Sequence, residues 1–220
     1  MRKVIGIGET ILDIIFRDNR PTAAVPGGSV FNGIVSLSRT GVPVCFISET
    51  GNDRVGDIIL RFMRDNHIPT DHVNVFPDGK SPVSLAFLDE HSDAEYLFYK
   101  NYPAQRPDVS FPQLEEDDLV IIGSYYALNP VLRDKVVELL EQARQQKAIV
   151  YYDPNFRSAH KEEAIRLAPP SSRTWNMPTS CAARRTTSST CTTCATPTAS
   201  TRRKSSSTAP TYSARSAKAS

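Results

Sequence analysis

Cysteine is almost missing from the first 170 residues of this 220-residue chain: Cys45 stands alone there, and Cys181, Cys191 and Cys194 all lie beyond. A lone thiol excludes a disulfide scaffold. With no apolar leader behind Met1-Arg2-Lys3, the expectation is a reducing, cytoplasmic setting. No stretch approaches the ~18 consecutive apolar residues of a membrane helix, so a membrane partner is not expected. Acidic residues are absent from 171–220, which holds eight of the 26 Lys and Arg residues; positions 1–170 then carry 18 basic and 24 acidic residues, a balance of −6. The formal charge of +2 therefore belongs to the tail and does not mark a nucleic-acid binder.

Other absences narrow the chemistry. No G-x-x-x-x-G-K-[ST] string occurs, so there is no P-loop. Gly6 and Gly8 begin a G-x-G pattern, but the third glycine of a dinucleotide fingerprint would fall at Ile11, and no helix opens there. An oxidoreductase is disfavoured on that ground. Cys191-Thr192-Thr193-Cys194 has zinc or redox spacing without a second ligand pair, and His67, His72, His91 and His160 form no motif. No metal site is read from the sequence.

What the chain does contain is alternation of strand and helix signals. Apolar runs at 4–8, 11–16, 44–47, 119–122 and 148–152 predict strands, and 73–76, 84–88 and 95–99 predict three more. Helices are predicted over 29–39, closed by Gly41 and Pro43, and from an Asp53 cap to Asn66 with Ile58, Ile59, Phe62 and Met63 on one face. A third should run over 130–146, with Val131, Val136, Val137, Leu139, Leu140 and Ala143 turned inward, and a further helix should begin at 161–167. Apolar strands interleaved with helices imply an α/β fold with a mostly parallel sheet covered on both faces. The helix-free stretch, about 73–102, reads as a small β lid inserted into a domain spanning 1–170.

From 171 onward Ser, Thr, Ala and Arg dominate and no period survives. One reading is a disordered basic tail. The other is a shifted reading frame: ordinary GC-rich codons for the segment 171–184, read one nucleotide out of step, can encode an amphipathic helix leading into a strand. An alternating α/β fold needs that element next, so 171–220 is expected to be non-native or disordered.

Several residues invite a chemical role. In Pro26-Gly27-Gly28-Ser29-Val30-Phe31-Asn32-Gly33, two glycines before a helix let a ligand approach free backbone amides, and Asn32 lies one turn in. The segment reads equally as a plain glycine turn with a surface asparagine. Asp13, after the Gly6-Ile7-Gly8-Glu9 strand end, either accepts hydrogen bonds from a pair of sugar hydroxyls or is a solvated edge residue. The turn at 51–57 reads as capping and loop closure around Asp53. Asp153-Pro154-Asn155-Phe156-Arg157 follows a buried strand, at the end where open α/β sheets bind ligands. Arg157 could grip phosphate oxygens in bidentate fashion or bridge a surface carboxylate.

Taken in order, G-x-G-E-x-x-x-D at 6–13, G-G-x-x-x-N at 27–32, G-N-D-x-x-G at 51–56 and D-P-N-x-R at 153–157 resemble the PfkB, or ribokinase-like, carbohydrate kinases, particularly the fructokinase-like members. The resemblance covers about 1–168. It implies a sheet flanked by helices with a β lid that closes over a sugar. It further implies that Asp13, Gly27, Gly28 and Asn32 bind sugar hydroxyls, and that Asn155 and Arg157 lie near the transferred phosphoryl group. Cofactors implied are ATP and Mg²⁺, with K⁺ as an activating ion. Partners would be a sugar and ATP, and lid sheets in such kinases often pair between subunits, which implies a homodimer. The family's G-A-G-D motif, source of the general-base aspartate and the anion-hole amides, does not occur in this sequence. The expectation is thus a kinase whose C-terminal half is missing and which is inactive as written. The alternative is a non-catalytic sugar-binding or regulatory fragment.

Overall fold

The structure is a computed structural model and describes residues 2–90, 94–103, 111–123, 131–153, 155 and 180–181. The described residues fall within one compact unit, Met1–Arg184.

Six strands form the main sheet: β1 (Val4–Ile7), β4 (Val44–Gly51), β5 (Val73–Phe76), β8 (Leu119–Gly123), β9 (Ile149–Asp153) and the short β10 (Ser180–Cys181). Their order is β10-β9-β8-β1-β4-β5, and every pairing is parallel. Because side chains alternate across a strand, each strand feeds two cores. Ile5, Ile7, Cys45, Ile47, Val120 and Ile122 face α3 (Arg133–Gln145), while Val4, Val44 and Phe46 face α1 (Ser29–Arg39) and α2 (Arg54–Asp65). The predicted helix-covered parallel sheet is therefore present, with helices on both faces.

The second sheet is the lid. It consists of β2 (Ile11–Arg17), β3 (Arg20–Gly27), β6 (Lys80–Leu88) and β7 (Ala94–Asn101), in the order β3-β2-β6-β7. Strands β2 and β6 pair in parallel, and each carries an antiparallel partner. The lid thus draws on two distant segments, not on 73–102 alone. Val73–Phe76, read from the sequence as part of the lid, lies in the main sheet beside β4, because Val73 and Phe76 are both buried there. Strand β3 was not anticipated. Pro21 and Pro26 argue against a strand by local rules, yet an edge strand tolerates proline because one side of its backbone needs no partner.

Two helix faces differ from expectation. Ile58 is 46% exposed and the buried side of α2 is Gly56, Ile59 and Met63; Val131 is 54% exposed and precedes α3. Strand β10 lies in the segment expected to carry no period. Its two residues pair with Tyr151 and Tyr152, as an open parallel edge accepts backbone irrespective of side-chain pattern. The helix expected at 161–167 lies outside the described residues.

Candidate sugar site

The chain leaves β1 towards α1 on one face of the sheet and leaves β8 towards α3 on the other. The carboxyl ends of β1 and β8 therefore flank a topological switch point, where open α/β sheets form a ligand crevice. Helix α1 begins against it. A Cβ at Gly123, the last residue of β8, would lie 3.3 Å from Ser29 Oγ and 3.4 Å from the Asp153 carbonyl oxygen, and would collide with Val30. The start of α1 and the ends of β8 and β9 thus meet at one point.

Gly28 caps α1 with φ 141° and ψ 146°, a conformation essentially reserved for glycine. A side chain there would strike the Glu9 carbonyl oxygen. No side chain caps the helix and its first turn holds no acid, so the amides of that turn form a positive, donor-rich end. Asn32 donates its backbone N–H to the Gly28 carbonyl at 2.9 Å, and its side chain is exposed one turn in.

The lid brings Asp13 to the same place. A Cβ on Gly27 would sit 2.5 Å from Asp13 Oδ2, so the carboxylate lies directly over Gly27 and depends on its bareness. Ser84 donates its hydroxyl to Asp13 Oδ1. Register places Val25, Asp13, Ser84 and Phe98 side by side across β3, β2, β6 and β7, all on one lid face. Tyr96 stacks on Phe98 with centroids 5.7 Å apart on that face. The lid pairing makes Ser84 the cross-strand neighbour of Asp13 and puts the Phe98 ring on the far side of Ser84.

At the base of the lid Asp53 caps α2 by accepting from the Gly56 amide at 2.9 Å, and it also accepts from the Ser81 amide at 2.8 Å and hydroxyl at 2.7 Å. Ser81 Oγ in turn accepts from the Gly51 amide at 2.9 Å. The 51–57 turn accordingly does what was expected of it, capping and loop closure, and also anchors β6. Burial pushes the Asp53 carboxyl up, but the hydrogen bonds from Gly56, Ser81 and Val55 outweigh it and hold the carboxyl below its usual value.

Asn155 follows β9 with φ 39°, and its amide donates to Asp153 Oδ1 at 3.0 Å, an Asx-type turn. Asp13 lies against Gly27, Gly28 follows it at the start of α1, Asn32 is one turn further on, and Asn155 lies two residues past the β9 end that meets Gly123. Arg157 lies outside the described residues. No three His, Cys, Asp or Glu side chains cluster as a metal site among the described residues. No helix in the described residues is long and apolar enough to cross a membrane.

A parallel α/β sheet with a separate β lid rooted beside its switch point defines the ribokinase-like class of sugar kinase folds. The chain belongs to the pfkB family of carbohydrate kinases, whose sequence pattern matches residues 1–177. It is similar to fructokinase-1 of Zea mays, 26% identical over 182 residues, covering 73% of this chain and 54% of the relative. Among solved structures it resembles a fructokinase double mutant from Vibrio cholerae bound to fructose, ADP and potassium, with a TM-score of 0.70, 20% identity, and coverage of 83% and 60% of the two chains. It also resembles aminoimidazole riboside kinase from Salmonella enterica in complex with aminoimidazole riboside and an ATP analog, with a TM-score of 0.65, 22% identity, and coverage of 82% and 59%. The chain spans about half the length of the curated relatives it matches.

Proposed function

We propose that this chain supplies the sugar-binding half of an ATP-dependent carbohydrate kinase, with fructose as the first candidate substrate. The observation that carries the reading is the Asp13 carboxylate held over Gly27, beside the uncapped first turn of α1. One carboxylate can accept from two neighbouring hydroxyls, while amides at a helix start donate to others. A polyol needs both kinds of partner. The sugar would lie between Asp13, Gly27, Gly28 and Asn32, with Asn155 and Arg157 towards the phosphoryl group. The lid would exclude water once it closes.

The phosphoryl donor in this reading is ATP, with Mg²⁺ carried by the nucleotide and K⁺ as the accompanying ion. The described residues gather no cluster of His, Cys, Asp or Glu to hold the metal themselves. The general base and anion-hole amides would come from a G-A-G-D segment, which this sequence lacks. Without them the chain binds sugar and transfers no phosphoryl group. In the same reading the lid pairs with a second copy. Ile14, Leu85 and Leu97 stand in register on its outer face, with the stacked pair Phe16 and Phe87 beside them, and Leu97 is 45% exposed. A sheet face this apolar wants cover.

Nucleotide sequencing through codon 170, coupled to a sugar-phosphorylation assay, tests the reading. A frame that resumes an α/β pattern with G-A-G-D, and whose product phosphorylates fructose, supports it. Phosphorylation by the present chain alone would overturn the assignment of catalysis to the missing motif.

A further inference from the structure

Between the lid and the main sheet runs an ion pair that the proposed site does not use. Lys100 Nζ, on lid strand β7, donates to both oxygens of Glu9 at 2.8 and 2.7 Å, and Glu9 lies just beyond the end of β1. The side chains are 27% and 19% exposed. This pair joins the two sheets, whereas those of Arg2 with Asp117 and Lys3 with Asp118 brace the opposite ends of β1 and β8.

Each partner is tied to a component of the candidate site. The Lys100 ammonium stands 5.5 Å from the centroid of Phe98, which is cross-strand from Ser84, which holds Asp13. At the other end the Glu9 carbonyl oxygen occupies the space that a Cβ on Gly28, at the start of α1, would need. The chain Asp13–Ser84–Phe98–Lys100–Glu9–Gly28 therefore begins and ends on the two groups between which a sugar would sit. A half-buried, doubly hydrogen-bonded pair with a ring under the cation has one favoured geometry and resists screening better than a surface bridge.

We infer that the Glu9–Lys100 pair is a positioning strut. It sets the height of the lid's Asp13 row above the first turn of α1, and so the width of the sugar slot. Ser81 fixes the root of β6 through buried backbone contacts, and the strut fixes the angle at which the lid leaves that root. The inference deepens the proposed sugar site and rests on it for its ligand, but not for its mechanics.

The test uses the full chain and two readouts. Hydrogen exchange is followed in β2 and β7 against α3 and β9, and fructose affinity is measured by calorimetry. Glu9→Gln and Lys100→Met should each raise exchange in the lid strands roughly three- to tenfold, the range for a partly buried charge-assisted pair, with α3 and β9 unchanged. Fructose affinity should fall by a similar factor. The double variant should be no worse than either single one, and the reversed pair Glu9→Lys with Lys100→Glu should recover much of the loss. Additive effects, no recovery in the reversed pair, or unchanged lid exchange would overturn the strut. Absence of fructose binding in the parent chain would count against the sugar reading alone, because the exchange measurements need no ligand.

Discussion

Ser81 and Asp53 join through two hydrogen bonds, amide to carboxylate at 2.8 Å and hydroxyl to carboxylate at 2.7 Å, across 28 residues of chain. One carboxylate thus caps a helix of the main layer and clamps the start of a lid strand. Replacing Asp53 by Ala removes the cap and leaves the Ser81 amide without its acceptor, with an expected loss of about 1–2 kcal/mol in urea unfolding. Ser81→Ala should cost a similar amount, because the Gly51 amide loses its buried acceptor. The double variant should cost less than the sum of the two.

Acid should expose the same contact. The folded Asp53 carboxyl titrates below its ordinary value of 3.8. Its contribution is therefore present above that value and is lost as pH falls through the lower folded value. In an Asp53→Asn variant the stability gap to the parent should be widest near neutrality and narrow below about pH 4. A gap that stays constant down to strong acid would assign the effect to packing.

Cys45 offers a prediction at the alkaline end. Burial in β4 pushes its thiol from 9.0 up to about 11, with Lys3 opposing and Asp71 reinforcing the shift. The stability it contributes is full below pH 9.0 and is lost as pH rises through about 11. A thiol reagent at pH 8 should label Cys45 at the rate of global unfolding, and Cys45→Ala should flatten the alkaline limb of the stability curve.

Gly28 should be intolerant of any side chain. Its φ of 141° and the Glu9 carbonyl oxygen beside it both oppose a Cβ. Gly28→Ala should cost about 1–3 kcal/mol, from backbone conformation alone, in thermal or urea unfolding. Gly33→Ala, where a Cβ meets open space, serves as the tolerated control, since it sits inside the same helix.

The sequence was most readable where the signal was local. Helix α1 runs over the predicted 29–39, and Asp53 is the cap its position before a helix suggested. Strand placement was less readable, because it depends on partners far along the chain. Val73–Phe76 and Lys80–Leu88 are separated by three residues yet enter different sheets. The lid's other half, β2 and β3, is contributed by residues that precede α1, and the prolines of β3 hide it from local rules. Of the candidate site, the glycine pair and Asp13 are legible as motif residues. Ser84, Phe98, Lys100 and the partnership of Glu9 are not, since each acquires meaning only through the lid's register and its seat on β1. Ile58 shows the same limit on a helix: it sits next to Ile59 in sequence, but a 100° turn carries it into solvent.

The measurement that bears most directly on the sugar site is calorimetric titration of the folded chain with fructose, alongside an Asp13→Asn variant. The account predicts saturable binding to the parent and an affinity at least about tenfold weaker in the variant, the loss expected when charged hydrogen bonds to hydroxyls are removed. No saturable binding by the folded parent, or equal affinity in Asp13→Asn, would contradict it.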